Sequence, residues 1–189
     1  MKTFKTIFLS VSLFVSLVFT SCSKDDNPTP QQVIEEEVIT TVTTVLRKGT
    51  QTITLTSRDV DGDGPTQPVV TVSGNLSANT IYTGTITILN ETVTPAEDIT
   101  EEILTKGLEH QFFFQAPTTL GSFAYTDADS AGKPIGLAFS YTTLNAATGN
   151  FTLVLRHEPN KSASGVATGN IANAGGSTDA EVIYPIVVQ

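Results

Sequence analysis

Ile81-Tyr82-Thr83-Gly84-Thr85-Ile86-Thr87-Ile88-Leu89 is the stretch that settles the fold class. Tyr82, Ile86 and Ile88 fall on one side of an extended chain and Thr83, Thr85 and Thr87 on the other, the period of two that marks a half-buried strand. Threonine suits the outer side because its branched Cβ fits the pleat. The same alternation recurs in both directions. Upstream, residues 38–46 and 69–73 read as strands, and in residues 51–57 Ile53 and Leu55 oppose Thr52, Thr54 and Thr56 after a turn at Arg47-Lys48-Gly49-Thr50. Downstream, residues 109–114 read as a strand buried on both sides, followed by strands over 121–126, 134–143, 151–157 and 181–188. Pro185 cannot donate to a ladder and places the last of these at a sheet edge. Thr94-Pro95-Ala96-Glu97 has the form of a helix cap ahead of Ile99, Ile103 and Leu104, which predicts one short helix over 94–106. Eight or nine antiparallel strands with one short helix are best housed in an all-β two-sheet sandwich, with a closed β-barrel as the alternative.

The amino-terminal residues have a different character. Lys2 and Lys5 precede an apolar run over residues 7–19, the composition of a signal peptide. The run ends at Ser21-Cys22, which resembles a lipobox, the cleavage site of lipoprotein signal peptidase. Residues 1–21 are therefore expected to be removed and Cys22, the only cysteine, to be acylated. Two or more acyl chains make a stable membrane anchor where one is marginal. Ser23-Lys24-Asp25-Asp26 resembles the surface-export signal of Bacteroidetes-type lipoproteins. Residues 22–32 then form a polar, proline-containing tether, and residues 33–189 a single domain. The expected address is the outer membrane, facing the cell surface, with its periplasmic face as the alternative.

Charge narrows the partners. The chain carries a net charge of −9, and loss of Lys2 and Lys5 with the signal peptide takes it to about −11. Nucleic acid is excluded as a partner, because its binding depends on lysine and arginine contacts to phosphate. An acylated Cys22 also leaves no thiol for a disulfide, a cysteine-based zinc site or a nucleophile. Gly-x-Ser-x-Gly and phosphate-cradling glycine loops are absent from the sequence.

Three groups of residues remain as candidate sites. Asp59-x-Asp61-x-Asp63-Gly64 has the spacing with which alternate carboxylates converge on calcium, although Val70 stands where an EF-hand has its closing glutamate. The competing reading is an Asp/Gly turn bonded to its own backbone. A second acidic turn, Asp127-Ala128-Asp129-Ser130-Ala131-Gly132, contains Asp129-Ser130-Ala131, which resembles an O-glycosylation acceptor motif at Ser130; a plain turn is the competing reading. His110 and His157 each adjoin a glutamate at a strand end, and two histidines with a carboxylate can hold a transition metal. Strict alternation of strand direction would bring both histidines and both acidic turns to one pole of the sandwich.

Arg58-Asp59-Val60-Asp61-Gly62-Asp63-Gly64, Pro95-Ala96-Glu97-Asp98-Ile99-Thr100-Glu101-Glu102, Glu109-His110-Gln111-Phe112-Phe113-Phe114 and Leu155-Arg156-His157-Glu158-Pro159-Asn160-Lys161, behind a cysteine-anchored amino terminus, together resemble a family of Bacteroidetes-type lipoproteins. The resemblance spans nearly the whole chain and brings no established activity with it. The leading expectation is a non-catalytic surface lipoprotein that binds an extracellular protein or glycan, with calcium ordering the loop of Asp59, Asp61 and Asp63. The alternative is a metal-dependent enzyme or transition-metal-binding protein that uses His110 and His157.

Overall fold

The alternation becomes ten strands in the computed structural model, which describes residues 37–61 and 65–189. Cys22, the tetrad Ser23, Lys24, Asp25 and Asp26, and Asp63 lie outside these residues. The elements are β1 (Thr41–Lys48), β2 (Gln51–Arg58), β3 (Val69–Val72), β4 (Ile81–Asn90), β5 (Glu97–Asp98), α1 (Ile99–Thr105), β6 (His110–Gln115), β7 (Gly121–Tyr125), β8 (Ala138–Thr143), β9 (Ala147–His157) and β10 (Ser177–Val188). Two antiparallel sheets result. One runs β3-β2-β1-β4-β8-β7, with the two-residue β5 paired to β4; the other runs β10-β9-β6. The sheets are open, so the sandwich holds and the barrel does not.

One core lies between them. Val42, Leu46, Leu55, Tyr82, Ile88 and Phe139 of the large sheet meet Phe112, Phe151, Leu155 and Tyr184 of the small one. Each buried aliphatic or aromatic side chain contributes on the order of 1.5–3 kcal/mol, so this layer holds the sheets together. Gly84 occupies an inward position on β4 where a Cβ would collide with the ring of Phe139. The gap in the row of Tyr82, Ile86 and Ile88 is thus the seat of Phe139, whose ring centroid lies 4.3 Å from that of Phe114.

β6 is buried on both faces, as its sequence predicts. Its outer side chain Phe113 packs with Val154 under Val166 and Ala174, which belong to the loop between β9 and β10. That loop contains two short 3-10 turns, Val166–Thr168 and Ile171–Asn173, and covers the small sheet. β10 is an edge strand and carries Pro185 opposite Asn150.

Several boundaries differ from the expectation: β1 starts at Thr41 instead of 38, β8 at Ala138 instead of 134 and β9 at Ala147 instead of 151, and two more differ for a visible reason. The helix starts at Ile99, because Glu97 and Asp98 pair with Asn90 and Leu89 of β4 and Asp98 caps the helix by accepting from Thr100 N–H at 2.9 Å. Thr94 and Glu97 therefore form no capping box. β10 begins at Ser177 instead of residue 181, because Arg156 holds its start: the guanidinium donates to the carbonyls of Gly175 and Gly176 and to Thr178.

Candidate metal centre

His110 and His157 end the inward rows of two adjacent strands. His110 continues the line of Phe112 and Phe114 on β6, and His157 the line of Leu153 and Leu155 on β9. The ladder pairs them directly, His110 with His157, and their rings stand 4.8 Å apart between centroids. A pair in register has its Cβ atoms roughly 4.5–5.5 Å apart, so two imidazoles at that position necessarily face one space.

Two carboxylates close that space. Glu37 comes from the lead-in segment before β1, on the large-sheet side, and its Oε1 lies 3.4 Å from His110 Nε2. Asp179 comes from the start of β10, with Oδ2 3.8 Å from His110 Nε2 and Oδ1 3.8 Å from His157 Nδ1. Asp179 reaches inward only because of a bulge. Val182, Tyr184, Ile186 and Val188 face the core, a parity that would point residue 179 outward, but the register shifts between Thr178 and Ala180 and leaves Asp179 as the extra residue. Re-aiming a side chain is a common use of such a bulge.

The four groups are deeply placed. Side-chain exposure is 0% for His110, 5% for Glu37, 2% for Asp179 and 12% for His157. One donor atom from each falls within 4.8 Å of the others. Glu37 Oε1 and Oε2, His110 Nε2 and His157 Nδ1 are buried and make no hydrogen bond. Burial of such atoms without partners costs several kcal/mol in an ordinary core.

The proton positions sharpen this. His110 Nδ1 sits 3.2 Å from the carbonyl oxygen of Lys106, which can only accept, so Nδ1 carries the hydrogen. Burial pushes the His110 imidazole below its ordinary pKa, against the opposing pull of Glu37, and favours the neutral ring. Nε2 then offers a lone pair toward a carboxyl group, an arrangement that a proton or a metal cation between them relieves. A ring fixed through its far nitrogen to a backbone carbonyl is how metal-ligating histidines are usually oriented. A tetrahedral ion with ligand distances of about 2.0–2.1 Å has edges of roughly 3.3 Å between ligands; separations of 3.4 and 3.8 Å are near this, and donors that lie up to 4.8 Å apart must draw together to share one ion.

The described carboxylates of the acidic turns bond nearby donors. Asp59 Oδ1 accepts from Asp61 N–H and Asp61 Oδ2 from Thr66 N–H, both at 3.3 Å, the self-bonded pattern of an Asx turn. Asp59 also borders a cleft of about 180 Å³ that reaches Asp179. In the second turn, Asp127 accepts from Gly136 and Ala138, and Asp129 from Ala131, Lys133 and Lys161. Ser130, next after Asp129, is exposed. The histidines therefore meet as strand alternation implies, while the second turn packs beside Glu109 with its carboxylates committed to the backbone and Lys161.

Glu37 and Asp179 are the two members that sequence reasoning missed. Glu37 ends a run of three glutamates that opens the domain, and Asp179 lies just ahead of the strand expected over 181–188. No protein-family model matches the chain, and neither the curated proteins nor the solved structures give a match. The reading of the site therefore rests on its own chemistry.

Proposed function

We propose that this protein is a surface lipoprotein, anchored through Cys22, whose β-sandwich holds one divalent transition metal of the zinc class between Glu37, His110, His157 and Asp179. The convergence of two imidazoles and two carboxylates, each carried by a different segment, on one buried space supports this reading. Imidazole nitrogen favours zinc and its neighbours in the transition series over calcium, which prefers an all-oxygen shell. Four protein ligands complete a tetrahedral shell and leave no position for an activated water, which favours a binding role over hydrolysis.

Metal analysis of the purified full chain tests it directly. One zinc, iron or manganese per chain is expected, falling to background in His110→Ala and His157→Ala. Wild-type protein that stays free of these metals after incubation with each, while folded by circular dichroism, would refute the assignment.

A further inference from the structure

The lead-in segment, residues 37–40, has two relations to the proposed metal centre. It supplies a ligand, Glu37, and it forms a wall of the cleft that reaches Asp179, through Ile39 and Thr40. Asp59, Asp179 and Glu181 line the same cleft. Carboxylates around a low-dielectric opening raise the local concentration of cations, so this is the side from which an ion is drawn in. His110 is fully covered, so an ion cannot reach its Nε2 unless a covering element moves.

The segment is lightly fastened. Among the described residues its backbone bonds are those of Thr40, which donates to the Leu89 carbonyl at 3.0 Å and accepts from Asp59 N–H at 2.7 Å. Thr40 Oγ1 adds a bond from Glu91 N–H at 2.8 Å. Ahead of Thr40, Val38 is exposed and Ile39 is only partly buried against the core. What remains to seat the segment's first residue is the Glu37 carboxylate, in a place where it faces a histidine lone pair.

We infer that residues 37–40 are the gate of the metal centre: a bound ion latches the segment shut through Glu37, and its release opens the centre through the cleft of Asp59, Asp179 and Glu181. This rests on the metal-binding reading above. Linkage makes the effect reciprocal: if the ion stabilises the seated segment, the seated segment must stabilise the bound ion by the same factor. Seating of this stretch, which continues toward the expected tether, then depends on metal supply.

The test uses the full chain in detergent with zinc or with a chelator. The amides of Thr40, Asp59 and Glu91 are hydrogen-bonded only while Thr40 is seated, so their hydrogen exchange reports the gate. Zinc is expected to slow their exchange at least about tenfold relative to chelator, with the amides of β9 changing less. Ile39→Ala, which removes apolar packing and no ligand, is expected to release zinc to a chelator about tenfold faster, while the exposed control Val38→Ala leaves release unchanged. One bound zinc per chain with unchanged exchange at all three amides, or with unaltered release from Ile39→Ala, would overturn the gate and leave the metal centre standing. A chain that binds no zinc would overturn both.

Discussion

Lys161 is the side chain that most clearly shows a charge used for structure. Its side chain is 7% exposed, and the ammonium donates to the carbonyls of Gly107 and Pro134 and to Asp129 Oδ2 at 3.0 Å, so all three hydrogens are used. Lys161→Met removes the cation and strands two carbonyls and a carboxylate, a change expected to cost roughly 3–5 kcal/mol as judged from urea unfolding. Asp129 responds in the opposite sense to what its burial alone implies. Burial raises its carboxyl, but hydrogen bonds from Lys133 N–H, from Lys161 and from Ala131 N–H outweigh it and hold the pKa below the ordinary value. A carboxyl depressed by folding contributes stability that is present above its unfolded pKa of about 3.9 and is lost as pH falls through the lower folded value. The wild type should therefore lose stability between pH 5 and 2, while Asp129→Asn loses less over the same interval; parallel losses would show that the turn does not depend on this charge. The sequence could announce that Asp127 and Asp129 form a turn, because Asx chemistry is local. It could not announce Lys161 as their partner, because that contact spans 32 positions.

The period-two strands were legible because each side chain's face follows from its own position, and β2, β4, β6 and the edge strand β10 all appear where alternation or Pro185 puts them. Departures occur where backbone pairing at a distance overrides local signals. Glu97 and Asp98 have the composition of a helix start, yet their peptide groups are taken by β4. The bulge at Asp179 likewise inverts a parity that Val182, Tyr184 and Ile186 otherwise fix, so alternation alone gives no sign of a ligand at this position. Gly176 prepares that bulge. It lies at φ +69°, and a Cβ there would run into the His157 carbonyl and lie 2.9 Å from that of Glu158. Gly176→Ala is thus expected to destabilise the protein by more than about 2 kcal/mol, combining a left-handed backbone cost with a steric clash. Because the displaced strand carries Asp179, the same variant should bind zinc more weakly even where it remains folded at low temperature; wild-type zinc affinity in a destabilised Gly176→Ala would separate β10 from the centre.

At the scale of the molecule, the proposed ion ties the lead-in on the large-sheet side to all three strands of the small sheet, through Glu37, His110, His157 and Asp179. The sheets otherwise meet through apolar packing and through few polar links such as Tyr184 O–H to the Val42 carbonyl at 3.1 Å. A ligand that binds only the folded state stabilises it by RT ln(1 + [L]/Kd), about 2.7 kcal/mol at a hundredfold excess over Kd. For a domain of this size each kcal/mol moves the melting temperature by roughly 2–4 °C, so saturating zinc should raise it by about 5–10 °C. His157→Ala should abolish that rise, since it removes a ligand and leaves the core row of Leu153 and Leu155 in place. The calcium reading of Asp59, Asp61 and Asp63 makes a separate demand on the same measurement: millimolar calcium must raise the melting temperature of wild type and of His157→Ala alike, and not that of Asp61→Ala. The two metals thus act on different variants. A rise with zinc that survives in His157→Ala would place the ion elsewhere in the acidic surface and remove the reason for two buried histidines to face two buried carboxylates.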